Sequence, residues 1–294
     1  MTTKKEPKIK IFVVHHKPWY IYEDDIYTPI QVWKKNAKVD LWILWDDTWN
    51  NISDRNGEYA ELTAHYWVWK NYDLSDVDYV WFCHYRRYLT FIERHTFKDI
   101  FIPKDLKRSY DNYNLMYVLK FVCGSLLFLW HTSLLREWDP GMIRRESEVL
   151  KKNILHGDAD VYVPKSNPIW NFKYPPFEGL WLKSKELSDV FINTFLELFP
   201  EYKDWLKRTE RQYLFHKCNI FLMDTKSFYE YSEWLFKYLF EVEKRIQGFD
   251  TSNELIGCRF MWAIAEFMID FWLNCVKWTN PRKVKELNLV RFNI

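Results

Sequence analysis

Apolar runs that stop abruptly at polar clusters set the pattern of this chain. Lys8 to Val14 (KIKIFVV) is rich in β-branched and aromatic residues and predicts a β-strand, followed at once by His15, His16, Lys17 and Pro18. Leu41 to Trp45 (LWILW) predicts a second short strand that ends at Asp46 and Asp47. Between Asn56 and Asn71, Tyr59, Leu62, Tyr66 and Trp69 recur at three-to-four spacing and predict one amphipathic helix. Asp78 to Cys83 (DYVWFC) predicts a third strand, stopped by His84, Tyr85, Arg86 and Arg87. Further on, Asn219 to Met223 reads as a strand, and Ser227 to Ile246 and Arg259 to Val276 read as long helices. Strand, strand, helix, strand is an α/β pattern. In open α/β sheets, ligands sit beyond the carboxyl ends of the strands, where His15, Asp46, Asp47 and His84 to Arg87 all fall.

The middle is less regular. Pro103, Pro140, Pro164, Pro168, Pro175, Pro176 and Pro200 punctuate it, and Val163 to Gly179 (VPKSNPIWNFKYPPFEG) is loop-like. The reading is a single domain over 1–294, with a nucleotide-binding half (8–90), an irregular acceptor-side insertion (91–200), a catalytic-helix half (201–276) and a basic tail (277–294). With hydrophobic residues at 48%, 17 Trp and only 7 Gly, the composition excludes collagenous, low-complexity and disordered classes.

Lys plus Arg 42 against Asp plus Glu 40 gives +2, so a whole-body footprint for nucleic acid is missing. The tail differs: Lys277, Arg282, Lys283, Lys285 and Arg291 face only Glu286, beside Trp278, Leu287, Leu289, Val290 and Phe292. Such a segment is either a foot on the cytoplasmic face of the inner membrane or a solvated tail. Cys83, Cys123, Cys218, Cys258 and Cys275 are scattered without a Cys-x-x-Cys pair, so neither a disulfide framework nor a zinc site is signalled. The start (MTTKKEPKIKIFVVHH) lacks the apolar core of a signal peptide, which predicts a cytoplasmic protein. Leu115 to Trp130 carries Lys120 and is shorter than the roughly 20 residues that span a bilayer.

The run NISDRNGEYAELTAHYWVWKN followed by DYVWFCHYRRYL closely resembles the domain-of-unknown-function 4422 family. Its members occur in bacterial exopolysaccharide, capsule and O-antigen biosynthesis and are regarded as glycosyltransferases. HHKPW, DDTWNNIS, CNIFLMDTKSFYEYSEWLF and GCRFMWAIAEFMIDFWL extend the likeness over nearly the whole chain. The resemblance implies a nucleotide-activated hexose donor, such as a uridine diphosphate (UDP) galactose or galactofuranose. The sequence departs from the family pattern at Phe267, where Arg is usual, and at Trp81, where Gly is usual. The order of elements is also similar to the nucleotide-sugar GT-A architecture, a Rossmann-like sheet flanked by helices. There, an Asp-x-Asp after the strand holds a divalent metal. His84, Tyr85 and Arg86 stand in its place, so hard-cation ligands are missing at this point. Arg86 or Arg87, with planar forks of donors, suits a leaving diphosphate, which favours a metal-independent reaction, with Mn or Mg left open.

Other residues carry paired readings. His15 and His16 point to opposite faces and either contact a nucleotide or pack. Asp46, Asp47 and Asn51 are either nucleotide-pocket groups or a turn and helix cap. Glu61 and His65 share a helical face, as an acid/base pair or sugar clamp, or as a buttress for the HYRR loop. Glu266 is an isolated carboxylate in an apolar helix, where burial raises a carboxyl pKa. It is either the base of an inverting transfer or a partner of Arg259. Asn219 opens a strand and faces either sugar or the interior. His156, Asp158 and Asp160 form an Asp-x-Asp cluster with a histidine and compete as a displaced metal site. The predicted function is transfer of a hexose from a nucleotide sugar to a glycan or lipid-linked glycan acceptor. A noncatalytic carbohydrate-binding protein, using Trp and Tyr faces alone, is the alternative.

Overall fold

A computed structural model describes residues 6–91, 133–136, 140–155, 159–168, 185–204, 214–216, 218–249, 259–279 and 281–292. The strands are β1 (Ile9–His15), β2 (Tyr27–Gln31), β3 (Leu44–Trp45), β4 (Tyr79–His84), β5 (Arg87–Thr90), β6 (Ser133–Arg136), β7 (Val161–Pro164), β8 (Asn167–Pro168), β9 (Leu214–Phe215), β10 (Phe221–Asp224) and β11 (Val284–Phe292). The helices are α1 (Asn56–Tyr59), α2 (Leu62–Asn71), α3 (Pro140–Leu155), α4 (Lys185–Leu198), α5 (Thr225–Ile246) and α6 (Phe260–Thr279).

The α/β class holds, and the sheet has two characters. Strands β3-β2-β1-β4 run parallel in that order. Beyond β4 the sheet turns back on itself. One edge of β4 pairs with β1, and the other is divided between β10, antiparallel to Tyr79–Phe82, and β5, which leaves through a hairpin pairing His84 with Arg87. Then β10 pairs with β7, β7 with β11, and β11 with β5, so five strands complete a circuit. The expected open sheet is therefore seen only in the parallel half. Splitting one strand's edge between two partners is what lets the other half curl.

Side-chain alternation builds a core on each face of this sheet. Along β1, Phe12 and Val14 join one buried cluster while Ile9, Ile11 and Val13 join the other. In β4 the same parity puts Val80 and Phe82 on the first face and Trp81 and Cys83 on the second. Helices α2, α4, α5 and α6 cover the first face; Ile143, Leu150 and Ile154 of α3 pack on the second. Trp81 and Phe267, the two departures from the family pattern, are both buried in these cores.

Four expectations change. Strand β2 lies in a segment not predicted as a strand, and the predicted strand at 41–45 is only Leu44–Trp45. The single helix over 56–71 is broken at Ala60, whose φ is 48°. The Asn56 side-chain amide donates to the Ala60 carbonyl at 2.6 Å and to Thr63 Oγ1 at 3.1 Å, holding the break. The basic tail is not a solvated segment, and the apolar residues that would make a membrane foot are placed in the sheet. Residues 284–292 form β11 between β7 and β5, with Leu287, Leu289, Val290 and Phe292 buried. Finally, Asp160 is occupied structurally: its carboxylate accepts from the Lys283 amide at 2.8 Å, tying β7 to the approach of β11. His156 and Asp158 lie outside the described residues, as do Leu115 to Trp130 and most of the proline-rich stretch. Among the described residues no helix is long and apolar enough to cross a membrane.

Because β11 sits inside the circuit, ending the chain after Lys283 removes a partner from both β5 and β7. Such a protein is expected to lose cooperative thermal unfolding, as followed by circular dichroism, whereas removing a solvated tail would leave the transition unchanged.

Candidate functional site

The carboxyl ends of β1 and β4 meet around one aromatic ring. The β4–β5 turn consists of Tyr85 and Arg86, held by the Tyr85 amide donating to the Val14 carbonyl at 3.1 Å and by Phe292 N donating to the Arg86 carbonyl at 2.9 Å. Tyr85 stacks on His15 with ring centres 5.5 Å apart and meets His16 edge-on at 5.4 Å. Lys17 Nζ lies 6.0 Å and the Arg86 guanidinium 5.9 Å from the same ring. Burial lowers the pKa of His16, and the charges of Lys17, His84, Arg259 and Arg86 lower it further. Five cationic or protonatable groups from β1, β4 and the start of α6 thus gather at one rim. The sequence relates Arg259 only to Glu266; its place in this group depends on how α6 packs. His15 is enclosed, with no hydrogen-bond partner on either ring nitrogen. Burial, and then His16, push its pKa down to about 4, so it is a neutral imidazole. The hairpin register puts Arg87 opposite His84.

A second group stands beside the first. The break at Ala60 places Glu61 at the head of α2, where its Oε1 accepts from Trp262 Nε1 at 2.6 Å and Asn219 Nδ2 at 3.3 Å. His84 Nε2 lies 3.3 Å from both Glu61 Oε1 and the Cys218 carbonyl. Both partners can only accept, so that nitrogen carries a proton. Burial raises the pKa of Glu61, but the His84 charge and hydrogen bond, followed by Trp262, prevail and hold it below the usual carboxylate range.

Cys218 and Asn219 themselves are left-handed, with φ of 84° and 46°. For L-residues this costs roughly 1–2 kcal/mol each, and such outliers concentrate at functional sites. Helix α6 and its neighbours hold the strain. Glu266 Oε1 accepts from the Cys218 amide at 2.9 Å, and the Trp262 carbonyl accepts from Asn219 Nδ2 at 3.2 Å. One turn on, Asp270 accepts from the His216 amide at 2.9 Å and from His216 Nδ1 at 2.7 Å. His216 Nε2 reaches Glu286 Oε1 of β11 at 3.0 Å. Both ring nitrogens of His216 face carboxylates, so the ring is an imidazolium. Burial lowers its pKa, but Asp270 and then Glu286 outweigh that and raise it to about 10. Sequence reading missed His216, Asp270 and Glu286. Asp270 lies four residues after Glu266 on the same helix, which was the available signal.

The structure therefore brings Glu61, His84, Asn219 and Glu266 together beside His15, His16 and Arg86. Other sequence candidates are placed elsewhere. His65 is buried among Phe82, Phe221, Phe228 and Phe236, with Nε2 2.7 Å from Ser232 Oγ. Burial lowers its pKa to about 3, and it forms no pair with Glu61. Asp46 is fully buried and spends its carboxylate on Ser53 Oγ (2.6 Å) and on the Trp33 and Lys34 amides. Asn51 bonds within its own loop, to the Thr48 and Trp49 carbonyls and the Ser53 amide. Asp46 and Asn51 make turn and cap contacts, while His65 packs in an aromatic core, neither paired with Glu61 nor buttressing the HYRR loop. Asp47 is part-exposed in the same loop.

The His216 charge has a calculable sign. Its folded pKa of about 10 exceeds the unfolded value near 6.5, so its stabilisation is complete below 6.5 and is lost as pH climbs through 10. The wild-type melting temperature should fall across that interval more steeply than that of His216→Gln, read by scanning calorimetry. Parallel profiles would overturn the assignment of the imidazolium.

Over 98% of its length this chain is similar to the apo structure of WbbM, a bifunctional glycosyltransferase, at 26% identity and a TM-score of 0.75. It covers 46% of that protein, so it spans less than half of this structural relative. No match is found among curated proteins. A family model matches residues 10–277. The chain thus belongs to the family described as Domain of unknown function (DUF4422), from the first sheet strand to the end of the helix that carries Glu266.

Proposed function

We propose that this protein transfers a hexose from a nucleotide diphosphate sugar, UDP-linked in the simplest case, to a glycan acceptor of surface polysaccharide synthesis. The observation that carries the reading is the rim itself: cationic groups and a half-buried carboxylate meet at the ends of parallel strands, around two residues held in left-handed backbone. Likeness to a bifunctional glycosyltransferase supports it, as does the strand order β3-β2-β1-β4-β10-β7 with β10 antiparallel, which fits a GT-A-like plan.

In this reading the donor diphosphate lies against His16, Lys17, Arg86 and Arg259, with Arg87 behind them. Arginine forks meet phosphate oxygens well, and a chain so poor in glycine lacks a Gly-rich loop to do this with backbone amides. Glu266 takes the proton from the acceptor hydroxyl as that oxygen bonds to the anomeric carbon. The bond from that carbon to the diphosphate breaks, and the nucleotide leaves with the electron pair, its charge met by the cations. This is inverting single displacement and calls on no metal ion. The Cys218 amide orients Glu266, while Asn219 and Glu61 border the sugar. Glu266→Gln keeps the shape and the acceptor for the Cys218 amide but cannot take a proton.

A screen of UDP-hexoses should show one consumed, with activity surviving a chelator. Glu266→Gln is expected to lower turnover by about a thousandfold with the fold and donor affinity kept, within the usual range for acid–base groups. Arg86→Ala should weaken donor binding instead. An intact donor with every sugar tested would favour a noncatalytic carbohydrate-binding role, and retained turnover in Glu266→Gln would remove it as the base.

A further inference from the structure

The connection from β2 to β3, β3 itself and the loop after it present tryptophan to solvent. Trp42 is 86% and Trp49 is 79% exposed, and Trp33 and Trp45 are also exposed. Exposure of one large apolar side chain is ordinary; four tryptophans within seventeen residues are a surface. Trp33, Trp42 and Trp49 also sit in left-handed backbone, with φ of 60°, 55° and 46°. For so bulky a residue this is an outlier, and it recurs at three of the four. Buried or paired groups enforce each one. The enclosed Asp46 carboxylate accepts the Trp33 amide, Asp40 accepts the Trp42 amide at 2.9 Å, and Trp49 stacks on buried Trp67, whose Nε1 donates to Thr48. The loops are pinned while the indoles are left outside.

We infer that these tryptophans, with Trp42 and Trp49 as the anchors, form a binding platform for neutral hexopyranose units of a glycan chain, separate from the transfer site. A hexopyranose has an apolar C–H face that fits an indole, and a hydroxyl edge that hydrogen-bonds to nearby carboxylates and amides such as Asp47 and Asn50. Preset aromatic side chains lose little rotamer freedom on binding. Charge selects a neutral ligand. Lys34, Lys35 and Lys38 are balanced by Asp40, Asp47 and Asp54, with Lys34–Asp40 at 2.7 Å and Lys35–Asp54 at 3.5 Å. An anionic membrane surface would call for a basic excess. Trp33 and Trp49 follow the carboxyl ends of β2 and β3, the end of the parallel strands at which the rim at Tyr85 also lies.

The platform does not depend on the transfer chemistry, so its test uses no donor. Saturation-transfer NMR and calorimetry on the full chain, with cellotetraose, maltotetraose and a β-linked galactotetraose in turn, should show at least one binding through ring C–H protons. Trp42→Ala/Trp49→Ala should weaken that binding by about tenfold or more, Trp42→Phe/Trp49→Phe should retain part of it, and the circular dichroism spectrum and nucleotide-sugar consumption should not change. Absence of binding by all three sugars, or binding unchanged in the alanine variant, would overturn the proposal. So would loss in that variant of flotation with phosphatidylglycerol-containing vesicles, or of self-association in gel filtration, in place of sugar binding.

Discussion

Two carboxylates one helical turn apart on α6 hold the centre of this molecule. Glu266 takes the amide of Cys218 and Asp270 takes that of His216, so a segment with two consecutive left-handed residues is drawn along the helix. Backbone in this region does not hold itself, because it has neither helix nor sheet bonds and carries conformational strain. What it gains is position. Asn219 is brought to Glu61 and Trp262, and the Cys218 carbonyl to His84, so α2, β4 and α6 converge through a stretch too short to be an element.

Electrostatically the region has two layers. At the rim, His16, Lys17, Arg86 and Arg259 press on one another, which is unfavourable until an anion arrives. Behind it donors and acceptors are matched: the Glu61 carboxylate lies against His84 Nε2, and the His216 imidazolium lies between Asp270 and Glu286. The inner layer is satisfied within the protein. The outer layer instead gathers like charge, in contrast to the matched groups behind it.

Much of this was legible in the sequence where one local rule decides. β1, β4, α5 and α6 follow from periodicity and abrupt polar ends, and the polar ends of β1 and β4 do form the rim. Glu266 was visible as a lone carboxylate in an apolar helix, and it does reach the strained segment. Long-range packing decided the rest. The period-of-four relation between Glu61 and His65 pointed to one face, but the Ala60 break turns Glu61 to the site while His65 enters an aromatic core. Basic charge in residues 277–294 suggested a surface tail, whereas the alternating Leu287, Leu289 and its neighbours form a strand between two others. His216 pairs across fifty-four residues to Asp270 and seventy to Glu286, a relation no local pattern carries.

The closed circuit of strands constrains the order of folding. β4 and β5 are adjacent in the chain, yet the ladder that completes the ring pairs Thr90 with Asn288. A ribosome must deliver the long stretch between these two residues before that ladder can form, and until then β5 has an unpaired edge above a partly built apolar face. Contacts of such high sequence separation slow folding and lengthen the exposure of sticky edges. The parallel half, whose strands lie within residues 9–84, can assemble first and serve as the template on which the ring later closes.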